Sequence, residues 1–264
     1  MSRTLTALYC AALVSLVLAP LASAQNDQAA APANDSIILL QTITHTPDGV
    51  HYRIVSYGTA FVVDPQGLAI TNSHVVYMAQ HDPDHYWLLA ILNHKFYGAR
   101  IVCASRLLHD PTKPSPGGVT PSRDVAEIAL TEPAFPFSAW GEHIGKVFNV
   151  LARRHEGSLP TFPSLALGHE RGAGEAIIVP GYSALGPIPE LYTLSGHVDR
   201  TDTLRTDGTP VFTMEFTSPP RPGGSGSPVL DAQGRVVGIF TWSGQSRSDV
   251  TIAQSVRALA PACR

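Results

Sequence analysis

From Ile37 to Trp242 the chain is written in short runs of Val, Ile, Leu and Thr, each closed by Gly, Pro, Asn or Asp. "IILLQTIT", "VHYRIVSYGTAFVVD", "LAIT", "WLLAILN", "YGARIVCAS" and "VAEIAL" fill residues 37 to 130. "SLALG", "EAIIVPGY", "LYTLSGHVDR", "PVFTMEFT", "SPVLD" and "RVVGIFTW" fill residues 164 to 242. Short apolar runs between turn formers predict an all-β sandwich or barrel. Each half carries about six such runs, enough for a small closed barrel packed with side chains. "DPQG" (Asp64 to Gly67) and "DAQG" (Asp231 to Gly234) are turns of one chemistry, with an apolar strand on each side.

The remaining segments set the boundaries. "MSRTLTALYCAALVSLVLAPLASAQ" has a basic start at Arg3, an apolar run from Leu5 to Leu21 and small residues before Gln25. That is the layout of a cleavable secretory signal over residues 1–24. "QNDQAAAPANDS" (25–36) is small, polar and unpatterned, and reads as a disordered leader. The first barrel is expected over 37–131 and the second over 164–250. The stretch 132–163 between them is too long for an ordinary connection and reads as a linker with an insertion, including a short helix near Ile144 to Arg153. "VTIAQSVRALA" places Ile252, Val256 and Leu259 at helical spacing, which predicts a C-terminal helix within 251–264.

Charge narrows the partners. The formal net charge is −3, and removal of Arg3 with the signal makes it more negative, with no basic patch to suit a nucleic acid. No run after the signal is long enough to span a bilayer, so no stable membrane insertion is expected once it is removed. Cys103 and Cys263 are the cysteines left after processing, and an oxidising compartment permits one disulfide between them or two separate thiols. Neither has a neighbour at metal or redox spacing. "HDPDH" (His81 to His85) puts two histidines four apart, but Pro83 spoils their presentation from a helix. No metal site and no organic cofactor are expected.

Two stretches carry the chemistry. In "GTAFVVDPQGLAITNSHVV" (58–76) a hairpin delivers His74 just after Asn72 and Ser73 break the strand alternation. In "RPGGSGSPVLDAQGRVVGIFTW" (221–242) glycines flank Ser225, and Pro228 follows before strand alternation resumes. Together they resemble the trypsin-like (chymotrypsin-fold) serine peptidases, especially the bacterial HtrA branch. The likeness extends over most of residues 37–260. It implies a double barrel with its cleft between the barrels.

The resemblance also implies roles. Ser225 is the expected nucleophile, His74 the general base and acid, and the backbone N–H groups of Gly223 and Ser225 the oxyanion hole. Thr241, Trp242 and Ser243 are expected to pair with substrate backbone by strand addition. "SRDVAEIAL" offers two acids, Asp124 and Glu127; Asp124 is favoured for its side-chain length. Gly224 stands where the animal digestive enzymes carry an aspartate, and Ser227 replaces a commoner glycine. No acid near Pro219, Pro220 and Pro222 supports a preference for Lys or Arg. No PDZ domain is expected after the C-terminal helix. The expected activity is a secreted or periplasmic endopeptidase acting on proteins or peptides, and the alternative is a non-catalytic binding protein on the same fold.

Overall fold

The computed structural model describes residues 33–45, 52–108, 110–113, 122–132, 153–154, 157–186, 189–243 and 251–259. Strands β1 (Ile37–His45), β2 (Tyr52–Val62), β3 (Leu68–Thr71), β4 (Tyr86–Leu92), β5 (Lys95–Ala104) and β6 (Ala126–Thr131) form an antiparallel sheet in the order β4-β1-β2-β3-β6-β5. Pairing of β4 with β5 closes it into the first barrel. Helix α1 (Ser73–His81) leaves the end of β3. Strands β8 (Ala176–Ser183), β9 (Glu190–Thr203), β10 (Pro210–Phe216), β11 (Pro228–Leu230), β12 (Val236–Ser243) and β13 (Thr251–Ser255) close the second barrel, before helix α2 (Val256–Leu259). The expected two six-stranded antiparallel barrels are present.

The alternation that predicted these strands also fills the barrels. Ile38, Leu40, Ala60, Val62, Ile128 and Leu130 pack inside the first. Val179, Leu194, Phe212, Met214, Val237 and Phe240 pack inside the second. Between them lies a third apolar layer that includes Ile37, Phe61, Ile70, Val125, Ile178, Leu230 and Ile239. Phe61 is fully buried there, and burial of a side chain of that size is worth about 2–3 kcal/mol. The two Asp-Gly turns behave alike. Asp64 Oδ1 accepts from Gln66 N–H at 2.7 Å and Asp231 Oδ1 from Gln233 N–H at 2.9 Å, with Gly67 and Gly234 at positive φ. Asp231 is buried, yet donors from the backbone and from Arg171 and Arg235 outweigh that burial and hold its carboxyl below the usual range.

Three boundaries differ from the sequence reading. The leader ends earlier than Ser36: Ala33 and Ser36 are buried, and Ser36 C=O accepts from Val62 N–H at 3.0 Å, extending the β2 ladder. Residues 25–32 lie outside the described residues. The end of the supposed linker belongs to the first barrel, because Phe162 is buried against Tyr97, with ring centroids 5.4 Å apart. Of the helix expected near 144–153 only Arg153 is described, and with Arg154 it forms strand β7, parallel to Lys95–Phe96. Lastly, Thr251–Ser255 is strand rather than helix, paired on both sides by β10 and β12. Helix α2 is only four residues long. Cys103 is disulfide-bonded, while Cys263 lies outside the described residues. No helix among the described residues is long and apolar enough to cross a membrane.

Candidate active site

His74 owes its position to a change of backbone direction. β3 ends at Thr71, Asn72 stays extended (φ −81°, ψ 148°), and α1 begins at Ser73, so His74 lies in the first helical turn. Ser73 Oγ donates to Val125 C=O at 2.8 Å and so ties this turn to the segment leading into β6. Asp124 lies on that segment. Its Oδ2 is 2.6 Å from His74 Nδ1 and its Oδ1 accepts the His74 N–H at 2.9 Å. The carboxylate is buried, whereas the imidazole keeps 27% side-chain exposure. With Nδ1–H directed at the acid, the free lone pair of the neutral ring is on Nε2, the more useful end for a base. Burial lowers the His74 pKa, but the charge and hydrogen bond of Asp124 outweigh it and leave the pKa above its ordinary 6.5.

Glu127 takes no part in this pair. It stands on β6 opposite Ile70 and Cys103, on the face away from Ala126, Ile128 and Leu130. Of the two acids, Asp124 is the one that meets His74.

The Ser225 loop is shaped by its glycines and anchored by the first barrel. Gly223 and Gly226 have φ of +96° and +89°. A Cβ on Gly226 would lie 2.0 Å from Thr59 O, so no side chain fits there. Thr59 N–H donates to Ser225 C=O at 2.8 Å, and Thr59 Oγ1 donates to Gly223 C=O at 3.0 Å while accepting from Tyr182 N–H. Gly224, Gly226 and Ser227 N–H groups are engaged with Arg221, Phe240 and Gly224 carbonyls. Among the described residues the N–H groups of Gly223 and Ser225 donate to nothing, and Ser225 Oγ makes no hydrogen bond either. Such a loop presents a hydroxyl beside two unused amide donors, which suits a developing oxyanion. At Gly224 a Cβ would come within 2.6 Å of Tyr192 Oη, so the tyrosine hydroxyl fills the space next to this position. Hydrogen bonds to a nucleophile are often absent before substrate binds, so the unbonded Ser225 Oγ is compatible with attack.

The segment Thr241–Ser243 continues β12 past the end of β11, which stops opposite Ile239 and Val236. β13 pairs with it on one side only. Thr241 Oγ1 points inward and accepts from Asn72 Nδ2 and Gln254 Nε2 at 3.1 and 3.0 Å. The Trp242 and Ser243 side chains lie outside the described residues.

Sequence reasoning missed Thr59, Asn72 and Gln254. Each is a fully buried polar residue that bonds to at least one partner more than fifty positions away. Nothing local distinguishes them from surface residues. No group of His, Cys, Asp and Glu suited to a metal occurs among the described residues.

Residues 58–239 match the family model of the trypsin-like peptidase domain, a span that includes His74, Asp124 and Ser225. The fold is similar to that of the Rv3671c protease from M. tuberculosis in its active form. The two are 18% identical with a TM-score of 0.59, over 91% of this chain and 85% of that one. A serine-to-alanine mutant of the same protease from M. tuberculosis H37Rv, in an inactive form, is similar at 18% identity and a TM-score of 0.57, over 92% of each chain. No curated protein matches the chain.

Proposed function

The chain belongs to the trypsin-like peptidase family, and on that basis we propose that it is a secreted serine endopeptidase acting through an acyl-enzyme on Ser225. Ser225 Oγ attacks the carbonyl carbon of the scissile peptide bond as its proton passes to His74 Nε2. The carbonyl oxygen becomes negative and is held by the N–H groups of Gly223 and Ser225. His74 returns the proton to the leaving amine, and the C–N bond breaks. Water then enters, gives a proton to His74 and its oxygen to the acyl carbon, and the proton returns to Ser225 Oγ as the acid leaves. Asp124 keeps the ring in its productive tautomer and offsets the charge of the imidazolium. The edge of Thr241–Ser243 that no described strand pairs suits an extended substrate strand. Secretion rests on the signal-like residues 1–24 alone, and N-terminal sequencing of the exported protein should begin at Gln25. An exported protein that retains Met1 contradicts it.

One contrast carries the mechanistic reading. Within a single loop, three N–H groups are engaged by carbonyls, and the two flanking the expected reaction centre are not. A structural turn gains nothing from leaving donors unused at a half-buried site. An oxyanion hole requires it.

The test is hydrolysis of a peptide mixture, with cut bonds identified by mass spectrometry and kcat/KM followed against pH. Only neutral imidazole can accept the Ser225 proton, so activity falls as pH drops through the His74 pKa. Because that pKa is raised above 6.5, the acid limb should have its midpoint above 6.5. A folded protein that cuts no peptide contradicts the reading, and a limb centred below that value contradicts the role of the Asp124 pairing.

A further inference from the structure

The acid of the proposed triad sits at the start of a first-barrel strand, yet its main chain is held largely by the second barrel. Gln254, on β13, is fully buried. Its Oε1 accepts the Asp124 N–H at 2.9 Å, and its Nε2 donates to the Asp124 C=O at 2.9 Å and to Thr241 Oγ1 at 3.0 Å. Asn72 Nδ2 gives the same C=O a second donor at 2.7 Å and also reaches Thr241 Oγ1. One residue earlier, Arg123 N–H donates to Asp207 Oδ2 at 2.6 Å and Arg123 Nη2 to Ala258 C=O at 2.8 Å. Asp207 precedes β10 and Ala258 lies in α2, so second-barrel groups bond the main chain of both residues 123 and 124.

A buried glutamine at this place needs a reason. Removing its amide from water is costly unless both ends are bonded, and ordering its long side chain costs entropy. Ile239 stands opposite it on β12 and belongs with Val236 and Val256 to the apolar layer between the barrels, and an apolar residue would suit that layer. Both ends of the amide are used on one residue, in the pattern by which a neighbouring strand would pair with it. The needs of Asp124 fix the amide orientation: its N–H requires an acceptor and its C=O a donor. Asn72 shows the same priority. It stands at the N-cap of α1, where asparagine commonly caps the helix, but makes no cap bond with its side chain. Its amide goes to Asp124 and Thr241 instead.

We propose that Gln254 is a positioning residue, a clasp across the barrels that sets the register of the His74–Asp124 pair against the Ser225 loop. The inference rests on the triad reading above. His74 and Asp124 both belong to the first barrel and Ser225 to the second, so their alignment depends on what joins the barrels at this point. The apolar layer between them is non-directional and holds them together without fixing register. Hydrogen bonds to a main-chain N–H and C=O are directional and fix it. Thr59 does the same from the other side by tying the Ser225 loop to β2.

Gln254→Met in the full chain keeps the volume and removes both bonds to Asp124 together with the one to Thr241. It is expected to lower kcat about 100-fold, the cost of misplacing reacting groups by about an ångström, with KM within about twofold of the parent. The far-downfield proton resonance of His74 Nδ1–H should shift or disappear. Val198→Ala, in the core of the second barrel, serves as a destabilised control that keeps kcat and the resonance. Should Gln254→Met fail to fold, Asn72→Ala removes the other donor to the Asp124 carbonyl and is read in the same way, with a smaller loss of kcat and a shifted resonance. A folded Gln254→Met, or in its place a folded Asn72→Ala, with parental kcat and an unmoved resonance overturns the clasp. So does a control that loses as much kcat at an equal drop in Tm. Asp124→Asn run alongside separates the two levels: if it too stays active, the triad reading has failed and the clasp with it, whereas an inactive Asp124→Asn beside a parental Gln254→Met overturns the clasp alone.

Discussion

Ser225→Ala is expected to melt like the parent and to lose about 10⁴- to 10⁶-fold in kcat. The substitution removes one oxygen that makes no hydrogen bond to a described residue. The loop keeps its shape, because that shape is set by Gly223 and Gly226 at positive φ and by the bonds from Thr59 to Gly223 and Ser225. What disappears is the atom that forms the acyl bond. The amide donors remain, so a small residual rate above that in water is expected from the oxyanion hole and binding alone. Kinetics on a cleaved peptide beside a thermal melt checks both halves. Parental turnover in the alanine variant would remove Ser225 from the chemistry, and a collapsed Tm would assign it to the fold.

Asp124→Asn is expected to lose about 10⁴-fold in kcat, whereas Glu127→Gln stays within about twofold of the parent. The carboxylate accepts from two groups of one residue, His74 N–H and His74 Nδ1–H. An asparagine has one acceptor oxygen and one amino group. If its oxygen keeps the backbone N–H, its amino group faces Nδ1 and forces the ring proton onto Nε2. A ring protonated there has no lone pair for Ser225. Glu127, set across the ladder from Ile70 and Cys103, touches neither partner. The reverse outcome, an inactive Glu127→Gln and an active Asp124→Asn, would exchange the two acids. Assays on both variants at one pH above the His74 limb decide it.

Much of this architecture was legible because a barrel strand shows the core one residue in two. That period exposed both barrels, and the glycines around Ser225 together with the strand break before His74 exposed the loops that meet between them. Where the sequence misled, two structures shared one pattern. "TIAQSVRAL" sets apolar residues at helical spacing, but Gln254 between them is a core residue of β13 with polar duties. A buried glutamine counts as polar in any periodicity, so the strand read as a helix face. Phe162 reads as loop because its pocket, beside Tyr97, is built by a strand far earlier in the chain. Asp124 and Glu127 were separable only in part from side-chain length. The geometry that separates them depends on where β6 starts.

The most direct measurement is covalent. The folded protein is treated with a serine-directed phosphonylating reagent and the modified residue located by mass spectrometry, with His74→Ala in parallel. The account predicts a single adduct on Ser225 of the parent and strongly slowed labelling in the variant. A folded parent whose Ser225 stays unmodified while the reagent reacts elsewhere, or labelling of Ser225 at an equal rate without His74, would contradict it.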